Sequence, residues 1–247
     1  MRVLILGGTG EARALAGELA TRTRFEVTSS LAGRVSNPAL PVGNIRLGGF
    51  GGSAGLLDYL REQRMDAVVD ATHPFAATIS RHAAEAAAAA RRPLLALRRP
   101  GWTQAAGDHW VRVADIATAA STVSRMPPGC LFVTTGRRDL EAFANDDQHD
   151  YLVRTVDPPS GPVPARMTLL LDRGPFTLVG ETDLLSTHQV TALVTKDSGG
   201  QMTAAKLLAA RNRSIPVVMV ERPPLPAAVN MVETVADAVT WLDRNAS

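Results

Sequence analysis

Cysteine is nearly absent from this sequence, with Cys130 alone among 247 residues. That excludes a disulfide within the chain and any metal centre built on several thiols. Cys130 follows Pro128-Gly129 and precedes Leu131-Phe132-Val133, the setting of a strand residue and not of a nucleophile. Lysine is almost as scarce, at Lys196 and Lys206, so arginine carries nearly all the positive charge. Its forked guanidinium suits carboxylates and phosphates. Aromatics make up 4% of the chain, which leaves Ala, Val and Leu to build the core. The net charge of +2 and the lack of a dense basic run exclude a general nucleic-acid binder. No apolar run is long enough to span a bilayer. Met1 to Leu6 ends in glycines, as a strand does and the apolar core of a secretory leader does not. The expectation is a cytoplasmic protein without membrane, nucleic-acid or metal partners.

What is present is an alternation of strand and helix signals. Val3 to Leu6 is a short apolar run closed by Gly7-Gly8, and Glu11 to Arg22 places Ala12, Leu15, Ala16 and Leu19 on one helical face. Strands follow at Phe25 to Ser29, Ile45 to Leu47, Ala67 to Val69 and Leu94 to Leu97, with helices at Ala54 to Arg64 and Phe75 to Ala90. Arg98 to His109 is irregular and marks a domain boundary near residue 100. Beyond it, strands are expected at Leu131 to Thr134, Tyr151 to Val156, Met167 to Leu171, Ala192 to Thr195 and Val217 to Val220. Helices are expected at Asp139 to Phe143, Thr177 to His188, Met202 to Arg211 and Val235 to Arg244. The fold class is α/β, with two Rossmann-like domains, 1–100 and 101–247, mostly parallel sheets and an interdomain cleft. In such sheets ligands bind beyond the carboxyl ends of the strands, at a switch point.

The polar, glycine-containing motifs fall at those ends. Gly7-Gly8-Thr9-Gly10-Glu11 leaves a strand and opens a helix, where free amides and close backbone approach suit a diphosphate. Arg13 stands where the full dinucleotide fingerprint has a small residue. Glu11 either caps the helix or meets a ribose hydroxyl. The second strand ends in Ser29 and Ser30 with Arg34 close behind and no acid, which suits the 2′-phosphate of NADP. Gly48-Gly49-Phe50-Gly51-Gly52 reads as backbone against a flat ligand or as a lid. Asp70-Ala71-Thr72-His73-Pro74 follows a buried strand, with Pro74 suited to a first helical turn and Thr72 and His73 directed at the crevice. His73 is a candidate proton donor near neutral pH. In the second half, Thr134-Thr135-Gly136-Arg137-Arg138 and Thr195-Lys196-Asp197-Ser198-Gly199-Gly200 are further polar strand ends. Lys196 is a candidate ligand contact there, and Lys206 is expected at the surface.

Taken in order, GGTGEAR, SSLAGR, GGFGG, DATHPFA, TTGR, TKDSGGQMTAAK and IPVVMVERP resemble the precorrin-6A reductase family from the first strand to about Pro223. DATHPFA together with the TK-x-SGG element carries the resemblance, and GGTGEAR alone would be weak. Related sequences often have Asn where Asp197 stands. The resemblance implies a two-domain reductase of cobalamin biosynthesis that uses NADPH. It further implies hydride delivery to a ring carbon of precorrin-6A and protonation of the adjacent carbon, giving precorrin-6B. The substrate is then an acidic tetrapyrrole, with Arg137, Arg138, Arg154 and Lys196 as candidates for its carboxylates. Arg137 and Lys196 are also candidates for shaping hydride transfer, and His73, a substrate carboxyl or water for supplying the proton. NADPH contacts are expected from Gly8, Thr9, Gly10, Glu11, Ser29, Ser30, Arg34, Gly49, Phe50, Thr72, Lys196 and Ser198.

Three other readings compete. A short-chain dehydrogenase needs Tyr-x-x-x-Lys, but Tyr59 is followed four residues on by Gln63 and Tyr151 by Thr155. A non-catalytic NADP sensor would not need polar strand ends in both halves. A methyltransferase of the same pathway would bind S-adenosylmethionine instead. The cobalt-bearing substrate of the anaerobic branch remains an alternative, because that metal would ride on the substrate. No motif sets an oligomeric state.

Overall fold

A computed structural model describes residues 1–33 and 40–246. The expected 2′-phosphate contact Arg34 lies outside the described residues. The chain forms two compact units, Met1–Pro100 with Pro223–Ser247, and Gly101–Arg222.

The first unit begins β1 (Arg2–Leu6), α1 (Gly10–Ala20), β2 (Glu26–Leu31), β3 (Asn44–Leu47), α2 (Ser53–Glu62), β4 (Ala67–Asp70), α3 (Ala77–Ala90) and β5 (Leu94–Leu97). β1 pairs in parallel with β2 on one side and β4 on the other. Successive side chains of β1 face opposite ways. Val3 and Ile5 join the core of Leu15 and Leu19 from α1, while Leu4 and Leu6 join that of Leu56, Leu60, Ala83 and Ala86 from α2 and α3. A strand covered on both faces has to be apolar throughout, which is why the VLIL run does not alternate. α3 starts at Ala77 and not at Phe75, because residues 73–76 form a tight turn in which Ala76 N–H donates to the His73 carbonyl at 2.7 Å. Pro74 therefore precedes the helix and does not occupy its first turn. Arg91, left-handed at φ 54°, caps the other end, and Pro93 prevents continuation.

The second unit contains β6 (Trp110–Val113), α4 (Ile116–Val123), β7 (Cys130–Val133), a 3-10 turn at Leu140–Phe143, β8 (Asp150–Thr155) and β9 (Met167–Leu171). α5 (Leu178–Thr187), β10 (Val190–Lys196), α6 (Ala205–Asn212) and β11 (Val217–Val220) follow. Its sheet runs β6-β11-β10-β7-β8-β9, with all five neighbouring pairs parallel. β6 and α4 fill a stretch to which the sequence reading assigns no element. Asp115 nonetheless marks the start of α4 by accepting the Thr118 amide at 2.7 Å. Phe132, Leu152, Leu193 and Met219 pack against Leu185, Leu207 and Ala210 of α5 and α6.

The chain then returns to the first unit, contrary to the expectation that the second domain runs to the C-terminus. β12 (Asn230–Val232) pairs in parallel with β5, completing the order β12-β5-β4-β1-β2-β3. α7 (Val235–Asn245) buries Ala238, Val239 and Leu242 in the core shared with α1. Thr234 caps α7 by accepting the Asp237 amide at 3.1 Å. The apolar face of α7 reads the same in sequence whichever sheet it covers, so periodicity assigns it to neither unit.

One charge in the second unit overturns an expectation. Lys206 is not a surface residue: it is 4% exposed, with its ammonium 5.0 Å from the Trp102 ring centroid. Arg154 is buried beside it, bonded to Glu181 at 2.7 Å, with its guanidinium 3.5 Å from the centroid of the Phe176 ring. Burial pushes the Lys206 ammonium down to about 7; repulsion from Arg154 adds to this and attraction to Glu181 opposes it. The folded value therefore lies below the ordinary 10.5. Between those two values the unfolded chain holds a proton that the folded chain does not, so stability rises with pH across that window. The slope attributable to this residue is at most about 1.4 kcal/mol per pH unit. Thermal or urea unfolding at pH 7 and pH 9 should show the protein gaining stability relative to Lys206→Met, whose own pH response is flatter. Equal responses would mean that the ammonium stays charged across this range.

Candidate functional site

In each sheet the strand order reverses beside a central strand, β1 in the first and β7 in the second, and the polar motifs gather at those two points. In the first sheet the reversal lies between β1 and β4. Gly7 N–H donates to the Ser30 carbonyl at 2.9 Å, drawing the glycine turn against the end of β2. Gly8 has φ 115°, where side chains are strained, and a Cβ there would meet nothing within 4 Å. The backbone amides before α1 thus stand at an open cradle, the arrangement in which a helix N-terminus receives a diphosphate. Thr9 caps α1, its hydroxyl accepting the Ala12 amide at 3.1 Å and donating to the Ala71 carbonyl at 2.7 Å. Its side chain is therefore committed to joining the β1 turn to the end of β4. Glu11 does not cap the helix but pairs with Arg99 at 2.8 Å.

The DATHP turn is held from below. Asp70, 3% exposed, accepts the Thr72 hydroxyl at 2.6 Å and the Ser80 hydroxyl at 2.5 Å. Thr72 consequently points its hydroxyl at the strand end. His73 is exposed, and its Nδ1 accepts the Phe75 amide at 3.3 Å. An acceptor at Nδ1 places the proton of the neutral ring on Nε2.

Ser29 and Ser30 are both buried at the end of β2, and the Ser29 hydroxyl has no hydrogen-bond partner among the described residues. The sequence reading missed Arg46, which lies opposite Ser30 in the β2–β3 register with a nitrogen 3.4 Å from the Ser30 hydroxyl. Arg46 also donates to the carbonyls of Gly48 at 2.6 Å and Gly49 at 2.8 Å. Its guanidinium stacks 3.8 Å from the Phe50 ring centroid, and Phe50 meets Tyr59 edge-on at 5.3 Å. The GGFGG loop is thus pinned through its aromatic residue. The available signal was a lone charge in a four-residue strand directly before the glycines.

In the second sheet the reversal lies between β7 and β10. The Thr134 hydroxyl donates to that of Thr195 at 2.9 Å across the two strand ends. Thr135 is 5% exposed, and its hydroxyl has no partner among the described residues. Lys196 reaches across to Asp139 at 2.5 Å, while Arg137 pairs with Asp157 at 3.8 Å. Arg138 is exposed and, with Arg137, Glu141 and Pro162, lines a depression of about 270 Å³. Ser198 follows Lys196 in a tight turn, its N–H donating to the Lys196 carbonyl at 2.7 Å. Arg154 does not belong to this group, since it is buried and balances Glu181. Cys130 is partly buried, and that burial raises its thiol, which keeps it protonated. Among the described residues no helix is long and apolar enough to cross a membrane.

The family model described as Precorrin-6x reductase CbiJ/CobK matches residues 2–243. A precorrin-6A reductase of Rhodococcus erythropolis is 52% identical over 98% of this chain and 97% of its own length. One from Rhodobacter capsulatus is 43% identical over 98% of this chain and 95% of its own. A cobalt-precorrin-6A reductase of Priestia megaterium is 28% identical, over 90% of each. A solved structure of CobK precorrin-6A reductase, 42% identical, superposes with a TM-score of 0.90 over 99% of this chain and 97% of that one. The chain belongs to the precorrin-6x reductase family, oxidoreductases of cobalamin biosynthesis.

Proposed function

We propose that this chain reduces precorrin-6A to precorrin-6B with NADPH. The observation that carries the cofactor reading is the open cradle at Gly8 before a capped helix, at the strand-order reversal of the first sheet. The backbone of Gly8, Thr9 and Gly10 would hold the diphosphate. Ser29 and Ser30, with no carboxylate beside them and the positive charge of Arg46 adjacent, suit a phosphorylated ribose. Gly49 and Phe50 would pack backbone and ring against a flat part of the cofactor, and Thr72, at the end of β4, would stand near it. When bound, NADPH supplies the hydride, and the protein contributes orientation and electrostatics.

The residues of the second unit act on the substrate. Precorrin-6A is a macrocycle bearing many carboxylates. Lys196 and Arg137 stand at the strand ends of the second sheet, each already balanced by one carboxylate, Asp139 and Asp157. A substrate carboxylate would compete with those pairs, and Arg138 is exposed to meet another. Ser198 adds a hydroxyl beside Lys196. His73, as the imidazolium, is the candidate donor for the adjacent ring carbon, giving up the Nε2 proton and being left as the neutral ring. The metal-free substrate is favoured over the cobalt-bearing one by the identities, 52% and 43% to precorrin-6A reductases against 28% to the cobalt enzyme.

Anaerobic mixing with precorrin-6A and NADPH should consume nicotinamide absorbance in step with formation of the reduced ring. Tight NADPH binding without oxidation would redirect the assay to the cobalt-bearing ring, and neither binding nor oxidation would sink the reading. His73→Ala should lower turnover on the order of 100-fold if the imidazole delivers the proton. Unchanged turnover would leave water or a substrate carboxyl as the source. Lys196→Met should raise KM for the tetrapyrrole on the order of tenfold, the loss of one charge-assisted contact.

A further inference from the structure

The loop after β10 is fastened at a point that the reductase reading does not use. Asp197 is 7% exposed and lies between Lys196 and Ser198. Its Oδ1 accepts the Trp102 amide at 2.8 Å, and its Oδ2 faces the Arg112 guanidinium at 3.5 Å. Arg112 reaches on to the Trp102 carbonyl at 3.3 Å, and the Trp102 indole N–H donates to the Gly200 carbonyl at 2.9 Å. The Asp197 backbone is held as well, donating to Val220 at 2.9 Å and accepting from Arg222 Nε at 2.7 Å. Gly101 and Trp102 are the first residues of the second unit, and Arg222 is the last. Both ends of that unit's chain therefore meet at one carboxylate-bearing residue in the loop. Gly101 has no room for a side chain there, since a Cβ would lie 2.8 Å from Asp197 Oδ2.

We propose that Asp197 is a positioning residue: it sets the placement of Lys196 and Ser198 by tying their loop to the segments where the chain enters and leaves the second unit. This rests on the reading that the loop meets the reactants. Every partner of the Asp197 side chain is a donor, an amide and a guanidinium, so the role is that of an acceptor. A carboxylate fills it, and so does the carbonyl oxygen of an asparagine side chain. A buried amide left without its acceptor destabilises the local arrangement by about 1–3 kcal/mol, enough to release the loop without unfolding the unit.

The test compares wild type with Asp197→Ala, Asp197→Asn and Gly101→Ala by two measurements. Hydrogen exchange reads residues 100–103 and 196–202, and steady-state kinetics reads NADPH oxidation with precorrin-6A. Asp197→Ala should speed exchange in both segments together and lower kcat/KM for the tetrapyrrole on the order of 10- to 100-fold, the effect of a displaced binding group. Asp197→Asn should restore both readouts to within a few-fold of wild type. Gly101→Ala, which pushes on the same carboxylate, should resemble Asp197→Ala and carries the test if that variant does not fold. Affinity for 2′,5′-ADP should be the same in all four proteins. Exchange that stays slow in Asp197→Ala, or an Asp197→Asn variant no better than Asp197→Ala, overturns the proposal. A wild type that neither binds NADPH nor oxidises it removes the reductase reading, while the exchange data still decide whether the loop is tied.

Discussion

Parallel pairing of one central strand with two later strands, one on each side of it in the sheet, is the constraint on which this structure depends. β1 hydrogen-bonds to β2 and β4, and β7 to β8 and β10. Each crossover must return over a face of its sheet, so the connections leaving the central strand and its non-sequential neighbour diverge. The gap between them is where backbone amides and loop side chains can face a ligand. Gly8, Thr72 and His73 reach one such gap, and Thr135, Gly136 and Lys196 the other. Neither set is assembled by sequence proximity: Thr9 and Ala71 are joined by a 2.7 Å bond across 62 residues.

Charge near the second sheet's strand ends is largely held in pairs. Of the four cations that the family resemblance offers for substrate carboxylates, three are matched by acids: Arg137 by Asp157, Lys196 by Asp139 and Arg154 by Glu181. The pairs differ in consequence. Those of Arg137 and Lys196 are partly exposed, so exchanging one carboxylate for another costs little. That of Arg154 is sealed under Phe176, and breaking it would strand a buried charge at a cost of about 3–5 kcal/mol. Exposure therefore decides which arginine stays available, and Arg154 becomes part of the scaffold. Lys206 shows the same rule in its other form: among the described residues no acid forms an ion pair with it, and burial acts on its proton instead.

Loop control follows a common pattern in the two units. Arg46 grips two glycine carbonyls and one aromatic face, and Asp197 grips one amide and one guanidinium. In both, a charged side chain near a strand end fixes a glycine-containing loop. Glycine supplies close approach and the fixed charge supplies definition.

By itself the sequence determined the elements whose signals are local. Apolar runs closed by glycines marked most strands, helical spacing marked most helices, and glycine turns marked the strand ends at which the polar motifs gather. The order of those motifs also placed the chain in its family. Element ends shifted by a few residues where a turn competed with the helix, as at His73-Pro74. Pairing across the chain was decided by tertiary structure alone. β12 is three residues long and carries no signal for β5, so the return of the C-terminus to the first sheet was not legible. Nor was the burial of Lys206, the seat of Arg46 under Phe50, or the acceptor role of Asp197. Each depends on which distant residues lie within about 3–5 Å, a distance at which hydrogen bonding, ring stacking and desolvation act and which one-dimensional spacing does not encode.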